Sequence, residues 1–213
     1  MPVGISALAH TLRAQCNGVP VPLKLGHAQQ LVVAALGYRS LAAYQASIDE
    51  SASLDAAAHG VLDNELLLER AAQLGLVPLQ PYLPRLLKSA FEQHLPDLKL
   101  HHSHDALEDA VREIVDDTVL NHDETISAMT VTNNDGIKEV YLPVDFEMDA
   151  LPPPDDFLEI PVEGHVTMKP DIDRPYVGHR IDVRATLILA RLGRVCIAAP
   201  VVHLESAQLD YDW

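Results

Sequence analysis

The sequence predicts an α+β protein: an all-helical N-terminal half, then an antiparallel β-sheet, a sandwich or half-barrel, in the C-terminal half. Two observations carry this. Up to about residue 124, apolar residues recur at helical spacing, and Gly and Pro separate the runs. Beyond it, apolar and polar residues alternate between turn signals, the period of a strand with one buried face. With 48% hydrophobic and 22% charged residues, the chain can bury a core and is not of the disordered class.

The helices follow in order. Ile5, Leu8, Leu12 and Cys16 share one helical face, and Asn17-Gly18 ends the run. A second helix covers about 26–36 through Leu31, Ala34 and Ala35, and Gly37 stops it. Ser40 is a good N-cap for a third, about 41–47. Residues 49–60 read as a connector. Asp63-Asn64 opens a helix through Leu67 and Ala71 to Gly75, and Leu83, Leu87, Ala90 and Phe91 form the next face. Residues 97–100 read as a spacer. His104-Asp105 opens the clearest helix, with Leu107, Val111, Val115 and Val119 aligned, and acids in its first turns suit the positive end of the helix dipole. Three domains are expected: a three-helix module over 1–48, a helical region over 49–124, and a β domain over 125–213.

In that β domain, Asp135-Gly136 between two apolar runs predicts a hairpin over 125–144, turning at Asn133–Gly136. Further strands are expected over 157–168, 180–190 and 194–204. The second has Ile181, Val183, Ala185, Leu187 and Leu189 on its inner face and is expected to be central, because it holds no proline. Pro161 and Pro200 cannot donate ladder hydrogen bonds, which places their strands at edges or bulges.

The stretch His27 to Ala46, with its Ala35-Leu36-Gly37-Tyr38 corner and a second short helix, resembles a helical module at the N-termini of many uncharacterised proteobacterial proteins. Some of those are related to the glyoxalase superfamily. The resemblance covers residues 26–47 only and implies a bacterial origin and a helical fold. Nothing later in the chain resembles the paired metal-binding βαβββ repeats of a glyoxalase, so that activity is not implied.

Charge divides the chain. The net charge is −16, from 15 Lys and Arg against 31 Asp and Glu. Residues 1–48 hold Arg13, Lys24 and Arg39 and no acid, so they are +3 and the remainder is −19. An acidic body repels nucleic acid and anionic membranes at long range. Residues 1–48 are therefore the only segment that could contact DNA, with a weak footprint of three basic residues, and membrane contact is not expected. No apolar run is long enough to span a bilayer, the start of the chain lacks a secretory pattern, and two distant cysteines form no disulfide framework. A cytoplasmic location is expected.

Three residue groups could carry chemistry or binding. Arg13, Lys24, Arg39 and Tyr38 are the candidates for contact with a partner or nucleic acid. His101, His104 and Glu108 combine imidazole and carboxylate and could ligate a divalent metal. They lack the His-x3-His or His-Glu-x2-His spacing of known hydrolase helices, and a polar helix start is the favoured reading of them. Asp171, Asp173, His179 and His203 would form a polar cluster if the strands return His203 to the loop over 169–179. The sequence holds no nucleophile elbow, dinucleotide fingerprint or phosphate-binding loop.

The expected function is non-catalytic: an interaction or regulatory protein of a bacterium or its mobile elements, with the helical module docking a protein partner and no cofactor. One alternative is a metal-dependent enzyme using the His101–Glu108 region or the 169–179 loop. The other is a helix-turn-helix-like DNA binder acting through residues 26–47.

Overall fold

The structure is a computed structural model, and it describes residues 4–16, 21–47, 54–132, 134–153, 156–170, 173 and 179–211. In chain order the main elements are α1 (Ile5–Gln15), α2 (Leu25–Ala35), α3 (Leu41–Ser47), β1 (His59–Val61), α4 (Asn64–Gln73), α5 (Leu83–His94), β2 (Lys99–His101), α6 (His104–Leu120), α7 (Asp123–Val131), β3 (Asn134–Tyr141), β4 (Phe157–Pro170), β5 (Arg180–Leu192), β6 (Cys196–Ile197) and β7 (Val201–Asp210). The fold is α+β, with helices filling the N-terminal half and most strands in the C-terminal half. Among the described residues, no helix is long and apolar enough to cross a membrane.

The chain divides into two compact units that interleave in sequence. The first comprises Met1–Leu107, Met148–Phe157 and Ala190–Ala199; the second comprises Glu108–Glu147, Leu158–Leu189 and Pro200–Trp213. In the first unit, α1 packs on α2 and α5, and α2 packs on α4. Leu8, Leu12, Leu31, Leu67, Leu83 and Leu87 have no exposed surface and form its centre. The helix ends are made as the sequence implies. Gly37 takes φ 81° and closes α2, with its N–H donating to the Ala34 carbonyl and that of Tyr38 to the Val33 carbonyl. The Asp63 carboxylate caps α4 by accepting from the Leu66 N–H, and the Ser40 hydroxyl caps α3 by accepting from the Ala43 N–H.

The sheet is mixed, which corrects the purely antiparallel expectation. β1 and β2 pair in parallel, joined by the crossover through α4 and α5 that a parallel pair requires. β1 also pairs antiparallel with β6, and β6 pairs antiparallel with the end of β5. Residues 49–60 and 97–100 therefore contribute strand residues as well as connections.

In the second unit, the Arg180–Leu189 part of β5 lies between β4 and β7, and β3 flanks β4. β5 is central, as its unbroken alternation implies, and Ile181, Val183, Ala185, Leu187 and Leu189 are all buried. The β3 ladder on β4 runs from His165 to Pro170, so Pro161 sits beyond it on that side. The strand expected over 194–204 is broken: β6 ends at Ile197 and β7 starts after Pro200.

The hairpin expected over 125–144 does not form. Residues 123–131 are helix α7, and β3 pairs with β4 instead. Asp123 and Glu124 favour a helix start, and the His122 ring accepts from the Glu124 N–H. The apparent alternation was not a buried face: Ile126 and Val131 stay exposed, whereas Thr125 is buried.

Candidate binding cleft

The corner after α2 builds a cleft within the first unit. Gly37 has no side chain, and the turn at Gly193–Val195 approaches it closely. A methyl at Gly37 would lie 3.2 Å from the Arg194 Cβ and 3.3 Å from the Val195 Cγ1. Gly193, at φ 68°, faces the Tyr38 hydroxyl in the same way. The two positive-φ glycines thus let the corner and the turn touch. The cleft between them is lined by buried Leu36, Leu54, Leu192 and Val195, with Tyr38, Tyr44, Ser47, Gly193 and Arg194 completing it. The cleft is shallow, with an inner space of about 20 Å³, room for about one water.

Its aromatic wall is ordered. The Tyr38 and Tyr44 rings meet edge to face, 5.2 Å apart at 86°, and the Arg194 guanidinium carbon stands 5.0 Å from the Tyr38 ring centre. Burial, with smaller contributions from Tyr38 and Cys196, pushes the Tyr44 phenol above its ordinary value, so its hydroxyl stays a neutral donor at neutral pH. Helix α3 supplies Tyr44 and Ser47 but buries none of its seven residues. Leu41 and Tyr44 are partly buried against the core, and the helix also provides one side of an open cleft.

Three arginine side chains bond to backbone around this corner, which also carries Arg39. Arg194 donates to the Gly37 carbonyl, Arg70 to the Arg39 carbonyl, and Arg191 to the Arg194 and Leu151 carbonyls. Their hydrogen bonds go to backbone oxygens, and among the described residues none of Arg39, Arg70, Arg191 and Arg194 forms an ion pair. The Arg191 Nε is buried with no partner.

The other predicted residues are dispersed. Arg13 and Lys24 are exposed, like Arg39, whereas Tyr38 is 5% exposed. His101 lies in β2, where its ring meets buried His59. His104 starts α6 and is exposed, and Glu108 pairs with Arg112 at 2.7 Å. Among the described residues, no group of three or more His, Cys, Asp or Glu side chains is placed to hold a metal ion. Asp171 lies outside the described residues, and Asp173 is exposed. The β5–β7 register sets Asp210 opposite Arg180 and His203 opposite Thr186. His203 is therefore about 20 Å along the strand from His179, at about 3.3 Å per residue, and the two do not meet.

Sequence reasoning found Tyr38 and Arg39 but missed Tyr44, Arg194 and His59. Tyr44 lay inside the stretch singled out, and its spacing from Tyr38 across a Gly corner was an available signal. Arg194 is more than a hundred residues away, with no local signal to link it. Comparison of the chain with known protein families, curated proteins and solved structures finds no match.

Proposed function

We propose that this is a non-catalytic interaction or regulatory protein of a bacterium or its mobile elements, and that its N-terminal helical module docks a protein partner. The observation that carries the reading is the Tyr38–Tyr44 cleft: an apolar floor, two ordered aromatic rings, and a flanking helix with no fully buried residue. Tyr and Arg are the residue types enriched where binding energy concentrates. Both cysteines are free and buried, which fits a reducing cytoplasm. A metal-dependent enzyme draws less support, because His101 is engaged with His59 and Glu108 with Arg112. A helix-turn-helix DNA binder also draws less, because α3, in the place of a recognition helix, carries no Lys or Arg.

The test is photo-crosslinking in the native host, with a photoreactive residue at Ser47 in one strain and at Gln208, an exposed position of the second unit, in another. The expected result is one protein captured from Ser47 and absent from Gln208. The same captured set from both positions would overturn the reading.

A further inference from the structure

We infer that β2 is a proton-released edge strand: when the His59–His101 pair takes up a second proton, β2 parts from β1 and the margin of the sheet opens. Neither histidine lines the Tyr38–Tyr44 cleft. The His59 Nδ1 and the His101 Nε2 are 3.0 Å apart, so one ring donates an N–H and the other accepts it. A second proton turns the acceptor into a donor. The hydrogen bond is then lost, and two like charges face each other. The surroundings do not compensate them. His59 is only 4% exposed, so water reaches it poorly. Among the described residues, the groups that act on the two rings from outside the pair are Lys99 on β2, His102 just beyond it and Lys88 on α5, all basic. Across the sheet, Ile197 of β6 stands opposite His59, and Arg191 of β5 opposite Ile197. Two acids come nearest in the chain. Asp63, after β1, is engaged at the cap of α4, and Glu92 is an exposed partner of Lys88.

The topology decides which strand yields. β1 lies between β6 and β2. β6 is anchored, because Cys196 and Ile197 have no exposed surface. β2 ends the sheet, is three residues long and contains no buried residue. Its ladder to β1 includes the Lys99 N–H donating to the Ala58 carbonyl. Leu98 before β2 and Leu107 after it are buried, so release is confined to the residues between them. Parting the two strands hydrates His59, and a hydrated imidazole takes a proton at its ordinary value. The open form therefore binds more protons than the closed form, and acid favours it.

The test is hydrogen exchange of the full-length protein at pH 7 and pH 5, corrected for the intrinsic pH dependence of amide exchange, with NMR of the imidazole nitrogens over the same range. An open-state value near 6.5 and a closed-state value of about 4 raise the opening constant about 20-fold between those two conditions. The expected result is that peptides spanning 97–102 lose about 20-fold in protection at pH 5, while peptides within 181–189 keep theirs. His59→Asn, its fold confirmed by a thermal midpoint at pH 7, should lose the response. If that variant does not fold, the parent decides: its two imidazoles must titrate together with the loss of strand protection. Both rings protonated at pH 5 with strand protection intact would overturn the inference, because His101 would have turned to solvent without moving β2. An equal loss within 181–189, which is global unfolding, would overturn it too, as would an undiminished response in folded His59→Asn.

Discussion

The His59 Nδ1 lies 3.0 Å from the His101 Nε2, and the two imidazoles are nearly parallel, 13° apart in plane and 5.2 Å between centres. The parallel register makes this pair. His59 stands opposite Lys99, so the residue two positions on, His101, lies diagonally on the same face. One ring donates an N–H and the other accepts it, so the pair holds one shared proton and resists a second. Burial first, then His101 and Lys99, lowers the His59 pKa to about 4. Burial, then Lys99, His102 and Lys88, lowers that of His101 as well.

A pH dependence follows. An unfolded histidine binds its proton near pH 6.5, whereas folded His59 does so only near 4. Between those values the unfolded state holds more protons, so stability present at pH 7 is lost as pH falls from about 6.5 through about 4. The loss attributable to His59 is about 3 kcal/mol at most. Urea unfolding of the parent and of His59→Asn between pH 7 and pH 4 checks it, since carboxylate titration is common to both. The variant should lose less stability over the window; equal losses would mean that His59 titrates normally in the folded state.

Gly37 and Gly75 offer a matched comparison. Both close a helix at positive φ, 81° and 70°. Alanine at Gly75 meets nothing within 4 Å and should cost only the left-handed backbone strain, about 1–2 kcal/mol. Alanine at Gly37 meets that strain and also the contacts to Arg194 and Val195, so it should cost more and alter the cleft. Thermal midpoints that fall equally would show that the 193–195 turn yields without resistance.

The central strand gives a third expectation. Leu187 has no exposed surface and sits mid-strand in β5. Its truncation to Ala should cost about 2–5 kcal/mol. Arg184, on the opposite face, is 69% exposed and lies 3.7 Å from an equally exposed Glu163. Such pairs contribute about 0–1 kcal/mol, so Arg184→Ala should leave the unfolding midpoint nearly unchanged. A Leu187→Ala protein as stable as the parent would contradict the burial assigned to this face.

What the sequence disclosed depended on the range of the interaction. Gly37, Ser40, Asp63 and Gly75 announced helix ends because caps act over a few residues. Leu187 and its neighbours announced a strand because sustained alternation has one good reading. Residues 126–132 misled because a short run rich in Thr, Ile and Val suits a strand, while the helical signal sat just upstream at His122–Glu124. Three-residue β1 and β2 have no period to read, and their partner lies about forty residues away in the chain. His59–His101 and Tyr38–Arg194 depend on such distant pairings, so half of each relationship was invisible before folding.

The central claim is that the Tyr38–Tyr44 cleft docks a partner, and calorimetry with the protein captured from Ser47 tests it most directly. Tyr44→Ser removes one aromatic wall while leaving the buried Leu36, Leu54, Leu192 and Val195 in place. The account predicts a protein that still folds, destabilised by about 1–3 kcal/mol because Tyr44 packs partly against the core, and at least about tenfold weaker binding to the partner. A Tyr44→Ser protein that binds the captured partner as tightly as the parent would contradict it.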